Sequence, residues 1–210
     1  MIRAIVFDFD GVLVESVDVK TQAFAELFKN EPPETLEKIL EYHKTNGGIS
    51  RFEKFRYFYN HLLHQSLSKE QEMLLGEEFS NLVVKSVIEA PWVPGAKETL
   101  ESLYRELPLY VASGTPENEL HRIMKARNMS YYFKGAYGTP EQKPSIIRKV
   151  ISLHNITPDR LIMVGDAMSD YLAAKETGVR FIGRAEPGNN PFPDNGVQII
   201  PDLINFNEII

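Results

Sequence analysis

Asp8 and Asp10 stand two positions apart at the end of an apolar run, residues 2–7, in the order Asp8-Phe9-Asp10-Gly11-Val12. Side chains alternate along extended backbone, so both carboxylates face the same way unless the chain turns, which Gly11 makes easy. Like charges this close repel, and a divalent cation with oxygen ligands offsets that repulsion: Mg²⁺ is held by one or two carboxylates together with substrate phosphate. A lone Asp-x-Asp is equally a solvated turn or a helix cap. Ser113-Gly114-Thr115-Pro116 lies between a short apolar run and a helical pattern, a place for an N-cap or for an anion cradle of hydroxyl and backbone N–H groups. Lys143 stands at the entrance to another helical pattern, where a lone lysine is ordinarily a solvated charge. Gly165-Asp166-Ala167-Met168-Ser169-Asp170 adds two carboxylates one helical turn apart and on one side. Each stretch alone is a cap or a surface charge. Together they offer one pocket an acid pair, a hydroxyl, a lysine and a second acid pair.

The elements that must position these groups are legible from periodicity. Residues 2–7, 109–112, 161–164 and 179–182 are short, apolar and bounded by turn residues, as strands buried on both faces should be. Helical patterns lie between them at 117–128, 144–154 and 168–177, the last closed by Gly178. Strand and helix in alternation predict an α/β fold with a doubly wound parallel sheet. Residues 17–89 break that pattern with helical stretches at 17–29, 33–43, 51–64 and 68–88. The expected organisation is a core of residues 1–16 and 90–210 with an inserted α-helical cap, 17–89, over the C-terminal edge of the sheet, where ligands bind in open α/β folds. Phe52, Phe55, Phe58 and Tyr59, at helical spacing, read as the cap's own core. Residues 186–196, rich in Pro, Gly and Asn, read as a surface loop.

Composition narrows the function classes. The 210 residues, 43% hydrophobic and 25% charged, suit a globular chain with a sizeable core. A formal net charge of -6 argues against a nucleic-acid partner, which needs a basic footprint. With no cysteine, disulfides, thiolate metal sites and cysteine nucleophiles are excluded. No apolar stretch is long enough for a membrane span, and the first run is too soon broken by aspartates to read as a signal peptide. The expectation is a cytoplasmic protein, a monomer or weak homodimer, with no membrane partner.

The ordered set Asp8-x-Asp10-Gly-Val, Ser113-Gly-Thr, Lys143-Pro and Gly165-Asp166-x-x-x-Asp170 resembles the four motifs of the haloacid dehalogenase-like phosphohydrolase superfamily, over nearly the whole chain. The helical insertion after the first motif is similar to that of its phosphoglycolate phosphatase and β-phosphoglucomutase branch. The resemblance implies a Mg²⁺-dependent phosphomonoesterase acting through an aspartyl-phosphate. In it Asp8 is the nucleophile and Asp10 the general acid/base; Mg²⁺ is held by Asp8, Asp166 and the backbone carbonyl of Asp10. Ser113 and the N–H of Gly114 bind a phosphoryl oxygen, Lys143 balances the remaining charge in the catalytic set, and Asp170 orients Lys143 from behind. Two departures from the branch are Glu15-Ser16, where an aspartate is common, and Ser145, where many relatives carry a second proline.

The substrate is expected to be a small phosphorylated metabolite of sugar-phosphate or phosphoglycolate type. Gly48-Ile49-Ser50-Arg51 resembles the β-phosphoglucomutase cap motif, in which the arginine binds the substrate's distal anionic group, so Arg51 is the candidate specificity residue. The same stretch is also a plain helix start with Ser50 as its cap. Lys20 occupies the position at which the mutases carry a histidine, favouring hydrolysis over a sugar-phosphate mutase. Asp10 disfavours a dehalogenase, whose relatives lack it. A catalytically silent binding module is the remaining alternative. The five histidines form no metal-spaced set, and none is assigned to the site.

Overall fold

The apolar runs become the central strands of a six-stranded, all-parallel sheet in the order β3-β2-β1-β4-β5-β6. The computed structural model describes residues 1–193 and 196–210. Its strands are β1 (Ala4–Phe7), β2 (Leu109–Pro116), β3 (Gly135–Thr139), β4 (Leu161–Gly165), β5 (Arg180–Arg184) and β6 (Gln198–Ile200). Its helices are α1 (Val17–Leu27), α2 (Pro33–Thr45), α3 (Arg51–Tyr57), α4 (Lys69–Glu89), α5 (Ala96–Leu103), α6 (Glu117–Ala126), α7 (Lys143–His154) and α8 (Met168–Thr177).

Strand alternation builds two apolar layers. Ile5, Phe7, Leu109, Val111, Ile162 and Val164 pack on one face with Leu100 of α5 and Leu120, Ile123 and Met124 of α6. Ala4, Val6, Tyr110, Ala112, Leu161 and Met163 pack on the other with Ile146, Ile147 and Val150 of α7 and Ala173 and Ala174 of α8. Full burial of such a Val, Leu, Ile or Phe side chain contributes about 1.5–3 kcal/mol, so the continuous apolar runs are the sheet's main support.

Helices α1 to α4 fill the stretch expected to be helical and share an aromatic nucleus. The ring of Phe24 lies 4.5 Å from Phe79 and 5.7 Å from Phe58, and Phe28 lies 5.5 Å from Phe58. Phe55 and Phe58 are fully buried there, whereas Phe52 and Tyr59 are only partly buried against it. The helix expected over 51–64 ends at Tyr57 and opens into a π-helical turn, Phe58–Leu62, with the Leu63 N–H donating to the Phe58 carbonyl at 2.9 Å. Ser68 and Gln71 cap α4 reciprocally. The segments leaving and re-entering the α/β part run side by side: Val14 pairs with Trp92, Val93 N–H donates to Leu13 O at 3.1 Å, and Glu15 N–H to Pro91 O at 3.0 Å.

Three elements were not expected: α5 and the two edge strands, β3 and β6. β3 reads Gly-Ala-Tyr-Gly-Thr and is mostly half-buried, and β6 is short and half-buried throughout. An edge strand covered on one side needs no continuous apolar run. β2 continues past Ala112 through a register shift to Pro116, carrying Ser113, Gly114 and Thr115 within the strand. In the expected surface loop, residues 186–191 and 193 are exposed and Phe192 is buried against the sheet; Asp194 and Asn195 lie outside the described residues. Among the described residues no helix is long and apolar enough to cross a membrane.

Candidate active site

From β1 the chain moves one way across the sheet to β2 and β3, then returns to the other side of β1 to form β4. The carboxyl ends of β1 and β4 therefore flank the switch point, where crossovers diverge and leave a crevice. Register sets the residues there: Phe7 pairs with Val164, and Asp8 N–H donates to Val164 O at 2.8 Å, so Asp8 follows one strand and Asp166 the other. Gly11, at φ +75°, turns the chain beneath them, and a Cβ there would stand 2.8 Å from Asp166 Cγ. That backbone and that space both call for glycine.

Carboxylate oxygens of Asp8, Asp166 and Asp170 lie within 4.8 Å of one another. Lys143, at the first turn of α7, reaches Asp8 Oδ2 at 3.1 Å and Asp170 Oδ1 at 2.5 Å. Phe9 N–H donates to Asp8 Oδ1 at 2.7 Å, and Ala167 N–H to Asp170 Oδ2 at 3.2 Å. Burial, then repulsion from Asp170 and Asp10, pushes Asp8 up to about 7 against the pull of Lys143. Burial, followed by Asp8 and Asp170, holds Asp166 well above the usual carboxylate range. Burial pulls Lys143 down, but the charges of and hydrogen bonds to Asp170 and Asp8 together outweigh it and raise it, so it stays a cation. One lysine faces three carboxylates, and among the described residues nothing donates a hydrogen bond to the Asp166 carboxylate. A surplus of clustered hard oxygen donors with too little positive charge fits a divalent cation such as Mg²⁺, with Asp8 and Asp166 its natural holders.

Asp10 is placed differently. Its carboxylate turns from that cluster, accepting from Ser16 Oγ at 2.6 Å, from Thr115 Oγ1 at 3.2 Å and from Lys20 Nζ, which also reaches Thr115 Oγ1 at 2.9 Å. Burial pushes this carboxyl up, but Lys20's charge and the hydrogen bonds from Lys20, Ser16 and Thr115 outweigh it and hold it below the usual range. The carboxylates that cluster are those of Asp8, Asp166 and Asp170, while Asp10, expected to reach a metal through its backbone carbonyl, keeps its side chain outside that cluster. Lys20, on α1, is the cation paired with Asp10.

Asp8, Asp10, Lys20 and Asp166 border one cavity of about 800 Å³, whose wall also includes Gly48, Arg51, Lys54 and His43 from the helical block, Gly114 and Thr115 from β2, and Arg184 from the end of β5. Ser113, Lys143 and Asp170 are buried and do not line it. Ser113 Oγ accepts the Thr115 N–H at 3.1 Å. The loop before α3 closes on the sheet edge: Ser169 Oγ donates to Gly47 O at 3.0 Å, and a Cβ on Gly114 would stand 2.6 Å from Gly48 O.

Arg51, the candidate specificity residue, starts α3. It reaches the cavity wall, but its guanidinium is held fork to fork by Glu119 of α6, through Nη2 to Oε1 and Nη1 to Oε2 at 3.1 Å, with Ser80 of α4 donating to the same carboxylate. Sequence shows the fork and not its partner, 68 residues away. Reasoning from sequence also passed over Ser16 and Thr115 as partners of Asp10, Lys20 as its counter-ion, Arg184, which pairs with Glu15, and His43 in the wall. Only Lys20 carried a local signal, as a cation ten residues after Asp10.

A doubly wound α/β fold with an acid cluster at its switch point is thus the class that topology and site define. Residues 5–184 match the haloacid dehalogenase-like hydrolase family, and the chain belongs to it. It is 27% identical to phosphoglycolate phosphatase 1 of Pseudomonas aeruginosa over 186 residues, 85% of this chain and 67% of that protein. It is 27% identical to the phosphoglycolate phosphatase of Photorhabdus laumondii over 100% of this chain and 91% of that protein. Among solved structures, β-phosphoglucomutase of Clostridium difficile superposes with a TM-score of 0.77 at 20% identity, covering 97% of this chain and 92% of that one. These matches support a phosphatase among the hydrolases.

Proposed function

We propose that the protein is a Mg²⁺-dependent phosphomonoesterase that hydrolyses a small phosphorylated metabolite through a phosphoryl group carried on Asp8. The observation that carries this reading is the junction of Asp8, Asp166 and Asp170 with Lys143 at the ends of two adjacent strands. Asp8 and Asp166 would hold the cation, with the backbone carbonyl of Asp10 as the third protein ligand. When bound, the cation supplies positive charge that offsets repulsion between the carboxylates and an incoming phosphoryl group.

Asp8 is held by Phe9 N–H and Lys143, so little reorganisation is needed before one oxygen attacks phosphorus. The phosphorus–ester oxygen bond breaks as the Asp8–phosphorus bond forms, and the departing oxygen takes a proton from Asp10. Asp10 is ionised in the free protein. A phosphoryl group arriving beside it repels a second negative charge and brings the carboxyl back to its acid form. In the second half Asp10 takes a proton from water, the water oxygen bonds to phosphorus, and the Asp8–phosphorus bond breaks to release phosphate. Lys143 keeps its charge throughout, while Gly114 and Thr115 line the phosphoryl side of the cavity, with Ser113 accepting the Thr115 N–H in the same strand end.

Residues 17–89 act as a cap on a core of residues 1–16 and 90–210, a division supported by the paired entry and exit segments. The absence of cysteine suits a reducing compartment, and a cytoplasmic monomer or weak homodimer is the form we expect. The reading is tested with an aryl phosphate and Mg²⁺. Wild type releases phosphate and stops on chelation, and Asp8→Asn loses turnover by about 10⁴-fold or more with its fold intact. Sustained release by Asp8→Asn refutes the nucleophile.

A further inference from the structure

The cations in the cavity wall are not equivalent. Lys20 is paired with Asp10, Arg51 with Glu119 and Arg184 with Glu15, while Lys44 is exposed to solvent. Lys54 is 3% exposed and, among the described residues, has no carboxylate within ion-pair distance. Its Nζ donates to His43 Nδ1 at 2.8 Å and to His43 O at 3.2 Å. An ammonium only donates, so Nδ1 of His43 is the acceptor and the ring proton sits on Nε2, 3.1 Å from Thr21 Oγ1. Burial, then Lys54, keeps that ring neutral, pushed down to about 3. His43 therefore aims Lys54 without neutralising it, and the ammonium has one N–H left over.

A buried ammonium without a counter-ion is unfavourable, which is why such groups are normally paired or lose their proton. Burial and then Lys20 push Lys54 down to about 7, while it also feels Asp10, Asp166 and Lys143 from the sheet edge. Groups of opposite charge thus share the cavity: the carboxylates that follow β1 and β4, and a buried ammonium of the helical block with no carboxylate in ion-pair contact. We propose that Lys54, and not Arg51, is the specificity-determining residue, its free N–H binding a second anionic group, a carboxylate or a phosphate, on a short phosphorylated substrate. This rests on the phosphomonoesterase reading above.

The test compares kcat/KM of the full chain with Mg²⁺ for 2-phosphoglycolate, a sugar bisphosphate and an aryl phosphate with no second anion. The ratio of the preferred doubly anionic substrate to the aryl phosphate falls about 10- to 100-fold in Lys54→Met and in Lys54→Gln, chiefly through KM, as expected for loss of one charge-assisted hydrogen bond. Loss confined to phosphoglycolate identifies a carboxylate, and loss confined to the bisphosphate a phosphate. An unchanged ratio in both variants overturns the inference while leaving the phosphatase reading intact. A wild type that cleaves none of the three overturns both. Lys54→Gln is one bond shorter but keeps an N–H donor for His43 without the charge, and carries the test if Lys54→Met does not fold.

Discussion

At the scale of single residues, the site separates two carboxylates of one motif by what surrounds them. Asp8 is shifted up by burial and then by the acids around it, whereas Asp10, though also buried, is gathered in by Lys20, Ser16 and Thr115 and shifted down. That division is what the proposed mechanism requires of a nucleophile beside a cation and an acid/base kept clear of it. Asp10→Asn is expected to lower kcat by about 10²–10⁴-fold, read in steady-state kinetics with the aryl phosphate. Lys54 makes a prediction in stability. Its folded pKa is depressed from 10.5 to about 7, so between those values the unfolded chain binds the extra proton. Stability of wild type relative to Lys54→Met therefore rises from about pH 7 to about pH 10.5 and is level below that window. Parallel pH profiles for the two proteins in urea unfolding would show that Lys54 is not a buried cation.

At the scale of elements, the helical block is joined to the sheet by a buried ion pair. Arg51 on α3 and Glu119 on α6 have side chains 4% and 7% exposed, and the Arg51 guanidinium lies 4.5 Å from the centre of the Phe79 ring. Removing one partner leaves the other charged and dry. Glu119→Ala should cost about 3–5 kcal/mol in denaturant unfolding, and the double change Arg51→Met with Glu119→Leu should recover most of it. Were Arg51 instead free to bind substrate, Glu119→Ala would leave stability near wild type. Helix α3 itself was legible from Ser50 and the spacing of Phe52, Phe55 and Phe58. Its π-helical end was not, because a change from i→i+4 to i→i+5 bonding leaves the apolar pattern almost untouched.

Across the whole molecule, elements distant in the chain converge on one crevice, and the proposed cation would bind the folded state alone. Mg²⁺ at about 100 times its Kd should add about 2.7 kcal/mol of stability, seen as a rise in melting temperature that NaCl at equal ionic strength does not reproduce and that Asp166→Asn diminishes. An equal response in Asp166→Asn would remove Asp166 from the metal site. The sequence by itself determined the central strands, the helical insertion and the acid, hydroxyl and lysine positions, because buried strands must be continuously apolar and the reactive groups must follow them. Only the tertiary structure decided the partners: Lys20 for Asp10, Glu119 for Arg51, and a neutral histidine for Lys54. Which charge neutralises which depends on distances of a few ångströms between side chains far apart in the chain, and no local spacing encodes those.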